Sequence, residues 1–115
     1  MWQSQFFLRA PDGDNQSMSD ESQVYVAPSF IALFIAPGRT RPSETREHIA
    51  ARHEFCEDLA TMLTDHASAK RFELGVTEQD VLERMHRGLL ADDAPVTPDE
   101  AQWVIRRLAE LLGWG

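Results

Sequence analysis

The stretch SETREHIAARHEFCEDLATMLTDHA, residues 43–67, decides the fold. It contains neither proline nor glycine, and Ile49, His53, Cys56, Ala60, Leu63 and Ala67 recur at steps of four and three. That spacing keeps side chains on one side of an α-helix. Phe55, Leu59 and Met62 make a second row beside the first, so the expected apolar face is broad, as on a core-facing helix. Glu54, Asp58, Thr61 and Asp65 run down the opposite side. The expected N-cap is Ser43, with Glu44 and Glu47 in the first turn, where negative charge suits the helix dipole. The period fails between Ser68 and Gly75, so the helix is expected to stop near Ala67. Phe72 and Leu74 are expected to tuck inward from the connection.

Upstream, VYVAPSFIALFIA (24–36) is the most hydrophobic run of the chain. Pro28 suits the first turn of a short helix, and Pro37-Gly38 ends it. No second strand-like run exists to pair with it, which favours a buried helix over 28–36 that docks on the rest. GRTRP (38–42) is a basic connector. Downstream, Thr77-Glu78-Gln79-Asp80 resembles a capping box with Asp in place of the usual Glu or Gln. It opens a helix over 78–90, with Val81, Leu82, Met85 and Leu89 inward. Thr97-Pro98-Asp99-Glu100 is the strongest local signal: an N-cap threonine, a first-turn proline and a glutamate at the third position. The helix it opens is expected over 98–112, with Ala101, Val104, Ile105, Leu108 and Leu112 on one stripe. Gly113 ends it, and Trp114 folds back on Leu108. The expected fold is all-α: three main helices and a short N-terminal one in a small bundle, residues 24–115.

Residues 1–23 are rich in Asp, Ser, Gln and Asn without periodicity and are read as a disordered tail. Met18 is a plausible start, which would make residues 1–17 an upstream extension. The net charge is −8, and residues 43–115 hold most of it. Such a body repels phosphate backbones, so nucleic acid is a disfavoured partner. The connector Ala91–Val96, carrying Asp92 and Asp93, also exceeds the turn of a helix-turn-helix. One cysteine, Cys56, rules out an intramolecular disulfide and fits a reducing cytoplasm. No apolar run approaches the roughly 18 residues of a membrane helix. The apolar patch Phe6–Leu8 is too short for a secretory signal.

Three kinds of chemistry can be weighed. His53 and Cys56 lie three apart on one helix face, and His86 stands on another helix, a ligand set that zinc accepts. Both α-helical positions fall on the apolar stripe, however, where packing is the expected role. The segment also misses the H-E-x-x-H pattern at its last position. No phosphate-binding glycine loop is present, since Gly38-Arg39-Thr40 lacks the first glycine and the lysine. No nucleophile elbow is present either, so neither an enzyme nor a cofactor is expected. Trp103 falls outside the apolar stripe of its helix, among Glu100, Arg106, Arg107 and Glu110. Either the 24–36 run or a fold-over by Arg106 or Arg107 covers it, or Trp103, Arg106 and Arg107 form a contact surface, since Trp and Arg are enriched at interface hot spots.

PSFIALF (28–34), REHIAARHEFCEDLA (46–60), LGVTEQDVL (74–82) and WVIRRLAELLGW (103–114) resemble a family of short bacterial proteins, some labelled "ATPase with chaperone activity". The resemblance implies a link to chaperone ATPases, although no nucleotide-binding motif accompanies it. The expected function is a non-catalytic cytosolic protein-interaction module, an adaptor or regulator of such machinery or a self-associating protein. A metal- or redox-responsive protein using His53, Cys56 and His86 is the alternative, and an ATPase-associated protein is the third.

Overall fold

The computed structural model describes residues 25–114, and the readings of the 1–23 tail lie outside them. Among the described residues the chain is all-α: α1 (Pro28–Ile31) followed by a 3-10 turn (Ala32–Phe34), α2 (Arg46–Leu74), α3 (Glu78–Leu89) and α4 (Pro98–Leu112). Among the described residues no helix is long and apolar enough to cross a membrane.

α2 departs from expectation at both ends. Its cap is Thr45, whose hydroxyl accepts the His48 N–H at 3.1 Å. Ser43 is otherwise engaged, its N–H donating to the Phe34 carbonyl at 2.7 Å and closing the connector on itself. The helix then continues to Leu74, seven residues beyond Ala67, and ends at Gly75 in the left-handed conformation, φ +64°. Nothing in Ser68-Ala69-Lys70-Arg71 breaks a helix, so the backbone runs on where burial stops. Phe72 therefore does not tuck inward. It is 89% exposed, and Leu74 is also exposed. The second row also fails as a core row, because Phe55 and Met62 are exposed and only Leu59 is half-buried. The buried face is narrower: Ile49, Cys56, Ala60 and Ala67.

α3 and α4 follow the expected spans closely. Thr77 accepts the Asp80 N–H, but the return half of the box is missing because the Asp80 carboxylate takes the Arg84 Nε at 2.6 Å. α4 carries the full box: Thr97 Oγ1 accepts the Glu100 N–H at 3.1 Å, and Glu100 Oε1 accepts the Thr97 N–H at 3.0 Å. At its far end Trp114 N–H bonds the Ala109 carbonyl and Gly113 N–H that of Glu110, the Schellman pattern, and Trp114 packs with the Leu108 cluster. The first run is shorter than expected: helical geometry ends at Phe34, and Ile35 is extended.

Two clusters make the core. Phe30, Ile49, Cys56, Ala60, Trp103 and Val104 form one, and Ala67, Val81, Leu82, Leu108 and Ala109 the other. The early residues of α2 and α4 share the first cluster and their later residues the second, so the two helices run in the same sense. α2, about 43 Å long at about 1.5 Å per residue, outruns the shorter α4. Its last two turns overhang, which explains the exposure of Phe72.

Candidate functional site

α4 is buried on more than one side. Besides the expected stripe, Glu100, Trp103 and Ala109 are buried. Glu100, Trp103, Arg107 and Glu110 stand three, four and three apart, one row along the helix, and this row faces α2 and the N-terminal run. Trp103 is only 8% exposed. Its indole N–H donates to Ser29 Oγ at 2.9 Å, and its ring meets Phe30 edge-on at 5.1 Å and His53 at 5.4 Å. Of the two readings of Trp103, covered or protruding, the structure shows the first: the run containing α1 covers the tryptophan, with Phe30 buried between α2 and α4.

Two charged pairs flank this aromatic group. The Arg52 Nε and Nη2 donate to Glu100 Oε2 at 2.9 Å and Oε1 at 2.7 Å, and Nη2 also reaches the Pro95 carbonyl. Glu100 is 3% exposed, the buried charge among the described residues. Burial alone would raise its pKa. The hydrogen bonds from Arg52 and the Thr97 N–H outweigh burial and hold it below the usual carboxylate range. Arg107 clamps Glu57 through Nε and Nη2 at 2.9 to 3.1 Å, while its Nη1 takes Glu110 at 3.0 Å. These bonds raise the Arg107 pKa. Arg106, by contrast, is exposed and makes no ion pair among the described residues.

Between these groups lies a cleft of about 410 Å³. Its floor is Trp103 and His53, its walls are Glu57, Arg107 and Glu110, and Tyr25 and Arg106 stand at the mouth. Of the three expected contact residues, Trp103 and Arg107 are built into the cleft and Arg106 alone projects. Sequence reasoning missed Tyr25 and Ser29: Ser29 bonds Trp103 on α4 across more than seventy residues, and Tyr25 meets His53 on α2. It also missed Arg52, for which no local pattern signalled the partner. A second hollow, about 490 Å³, is lined by the connector residues 36 and 39–43 alone and holds no buried polar group.

The proposed metal ligands do not converge. Among the described residues no three His, Cys, Asp or Glu side chains are grouped to hold a metal ion. Cys56 is fully buried in the first core cluster, and its thiol is pushed up to about 12, chiefly by burial. A thiol so held is neither a nucleophile nor a ready redox group. His53 sits in the cleft floor, with Nε2 accepting the Ala27 N–H at 3.4 Å. Its pKa lies below the ordinary value, first because burial disfavours the cation, with Glu57 opposing and Arg107 adding to the effect. Comparison with protein-family models, curated proteins and solved structures returns no match to this chain.

Proposed function

We propose that the protein is a non-catalytic cytosolic protein-interaction module whose contact surface is the Tyr25–Trp103–Arg106 cleft. The observation that carries this reading is a preformed, aromatic-floored hollow whose charges are mutually satisfied except at its rim, where Arg106 has no carboxylate partner among the described residues. The complementary ligand is a peptide segment that places an apolar or aromatic side chain beside Tyr25 and a carboxylate on Arg106. Interfaces anchored by Tyr, Trp and Arg concentrate binding energy in a few such contacts. The family resemblance of the four segments makes an adaptor or regulator of chaperone machinery the setting we favour. The buried thiol, held protonated, and the ungrouped histidines weigh against the metal- or redox-responsive reading.

Selection of displayed peptides on the purified protein tests this. Enriched peptides should carry an acidic residue next to an aromatic or aliphatic one, and Tyr25→Ala and Arg106→Glu should each weaken them about tenfold or more. Peptides that bind both variants as well as the parent would end the proposal. Self-association has its own observation, since Phe55 and Met62, seven apart on α2, are 39% and 56% exposed. A monomer by light scattering at high concentration would exclude it.

A further inference from the structure

We infer that His53 is a pH-operated latch holding the N-terminal strap, residues 25–27, against the cleft, an inference that rests on reading the cleft as the contact surface. Among the described residues the strap is held by the packing of Val26 and Ala27 on the first core cluster and by one hydrogen bond to α2. The Ala27 carbonyl accepts the Phe30 and Ile31 N–H groups and so starts α1, leaving the Ala27 N–H to bond His53 Nε2 on α2. Tyr25 meets the His53 ring edge-on at 6.3 Å but is 72% exposed, so burial does little to retain it.

An Nε2 that accepts a hydrogen bond carries no proton, so the neutral ring bears its proton on Nδ1. Protonation places a second N–H against the Ala27 N–H, and an attraction becomes a meeting of two donors. The surroundings offer the new cation little. On α2 the facing carboxylate is Glu57, both of whose oxygens already hold Arg107. From α4, Arg107 and Arg106 present like charge and Glu110 is engaged with Arg107. α1 contributes no charged residue, and the strap contributes only the Tyr25 phenol. Protonation therefore breaks the strap's hydrogen bond to α2 and leaves the packing of Val26 and Ala27 as its remaining hold, with Tyr25 free to swing out. Because burial depresses the folded-state pKa, the closed arrangement is fully favoured above the ordinary histidine value and is lost as pH falls below it. A fall in pH below the ordinary histidine value therefore opens the mouth of the cleft at Tyr25.

Nuclear magnetic resonance on the full chain, without any binding partner, tests the latch. The His53 ring, the Ala27 amide and the Tyr25 ring are followed from about pH 7.5 to about pH 4.5. All three should titrate together, and the protection of the Ala27 amide from exchange should fall about tenfold, the scale of one lost hydrogen bond. The Trp103 indole N–H, bonded to Ser29, should stay in place. His53→Gln, which keeps an acceptor and removes the charge, should leave the Ala27 and Tyr25 signals flat. A flat Ala27 amide while His53 titrates in the wild type overturns the latch, even if the variant does not fold. Equal movement in His53→Gln, or loss of the Trp103 indole signal in step, overturns it as well. Since no partner is used, the outcome is independent of whether the cleft binds peptides.

Discussion

Arg52 and Glu100 form the pair whose removal should cost the most, and the structure fixes an order among the variants. Glu100 accepts two hydrogen bonds from Arg52 and one from the Thr97 N–H, all at 2.7 to 3.0 Å, with its side chain 4% exposed. Arg52 is 28% exposed and keeps the Pro95 carbonyl, so it can rehydrate when Glu100 is lost. Glu100→Ala then removes the pair and half the capping box, for about 3 kcal/mol, the lower end of the range for breaking buried pairs. At about 4–8 °C per kcal/mol that is a fall in Tm of roughly 12–24 °C. Arg52→Met leaves the carboxylate buried without its cation, and should cost about 3–5 kcal/mol until the group takes up a proton. Glu100→Gln keeps an acceptor and should cost about 2 kcal/mol.

The assay is urea unfolding by far-ultraviolet circular dichroism, run as a double-mutant cycle of Arg52→Met with Glu100→Gln. Coupling of about 2 kcal/mol or more is expected, with the double variant no less stable than Arg52→Met alone. The pH dependence supplies an independent check. The Glu100 pKa is depressed in the fold, so its contribution is present above the ordinary carboxylate value and is lost as pH falls through the folded one. The wild type should lose stability there, and Glu100→Gln should lose less. Additive single variants, within about 0.5 kcal/mol, would mean the pair behaves like a surface bridge and would refute the reasoning.

Other expectations follow from single contacts. Phe30→Ala should cost about 3–5 kcal/mol and shift tryptophan emission to the red, since Phe30 is fully buried against Trp103; blue emission retained would contradict it. Cys56 should react with a thiol reagent only as fast as the chain unfolds, because the group is buried and its pKa is near 12; prompt stoichiometric labelling at neutral pH would show otherwise. Gly75→Ala should destabilise by about 1 kcal/mol through its positive φ alone, as no atom lies within 4 Å of the added carbon.

What the sequence made legible was local. The Thr97 box and Gly113 marked both ends of α4, because caps depend on side chains within a few residues of each other. The apolar stripes named Ile49, Cys56, Ala60, Val104 and Leu108 for the same reason. The end of α2 was misread because hydrophobic period reports burial, whereas the backbone needs only the absence of a breaker; Ser68–Leu74 is helical and solvated. Phe55 and Met62 were misplaced for a related reason. A second apolar row says that a face exists, and only tertiary structure says whether anything lies on it. The cleft was half visible: Trp103, Arg106 and Arg107 adjoin in sequence, but Tyr25, Ser29 and Glu57 come from distant segments.

The charged row on α4 explains why the cleft lies where it does. Around Arg52–Glu100 and Glu57–Arg107 the α2 face toward α4 offers His53 and the small side chains of Cys56 and Ala60, and small side chains by themselves define a packing register poorly. The two ion pairs remove that freedom. Sliding α4 by one turn, about 5.4 Å, would part both at once and strand Glu100 in a buried position. With the register set, Arg107 reaches Glu57 on α2 and lines the cleft beside Trp103, with Ala27 and Ser29 of the N-terminal run on the same hollow. The hollow is therefore framed by one of the two pairs that lock α2 to α4. Loosening the lock at Glu57 should widen the cleft without unfolding the chain, whereas loosening it at Glu100 should unfold the chain first.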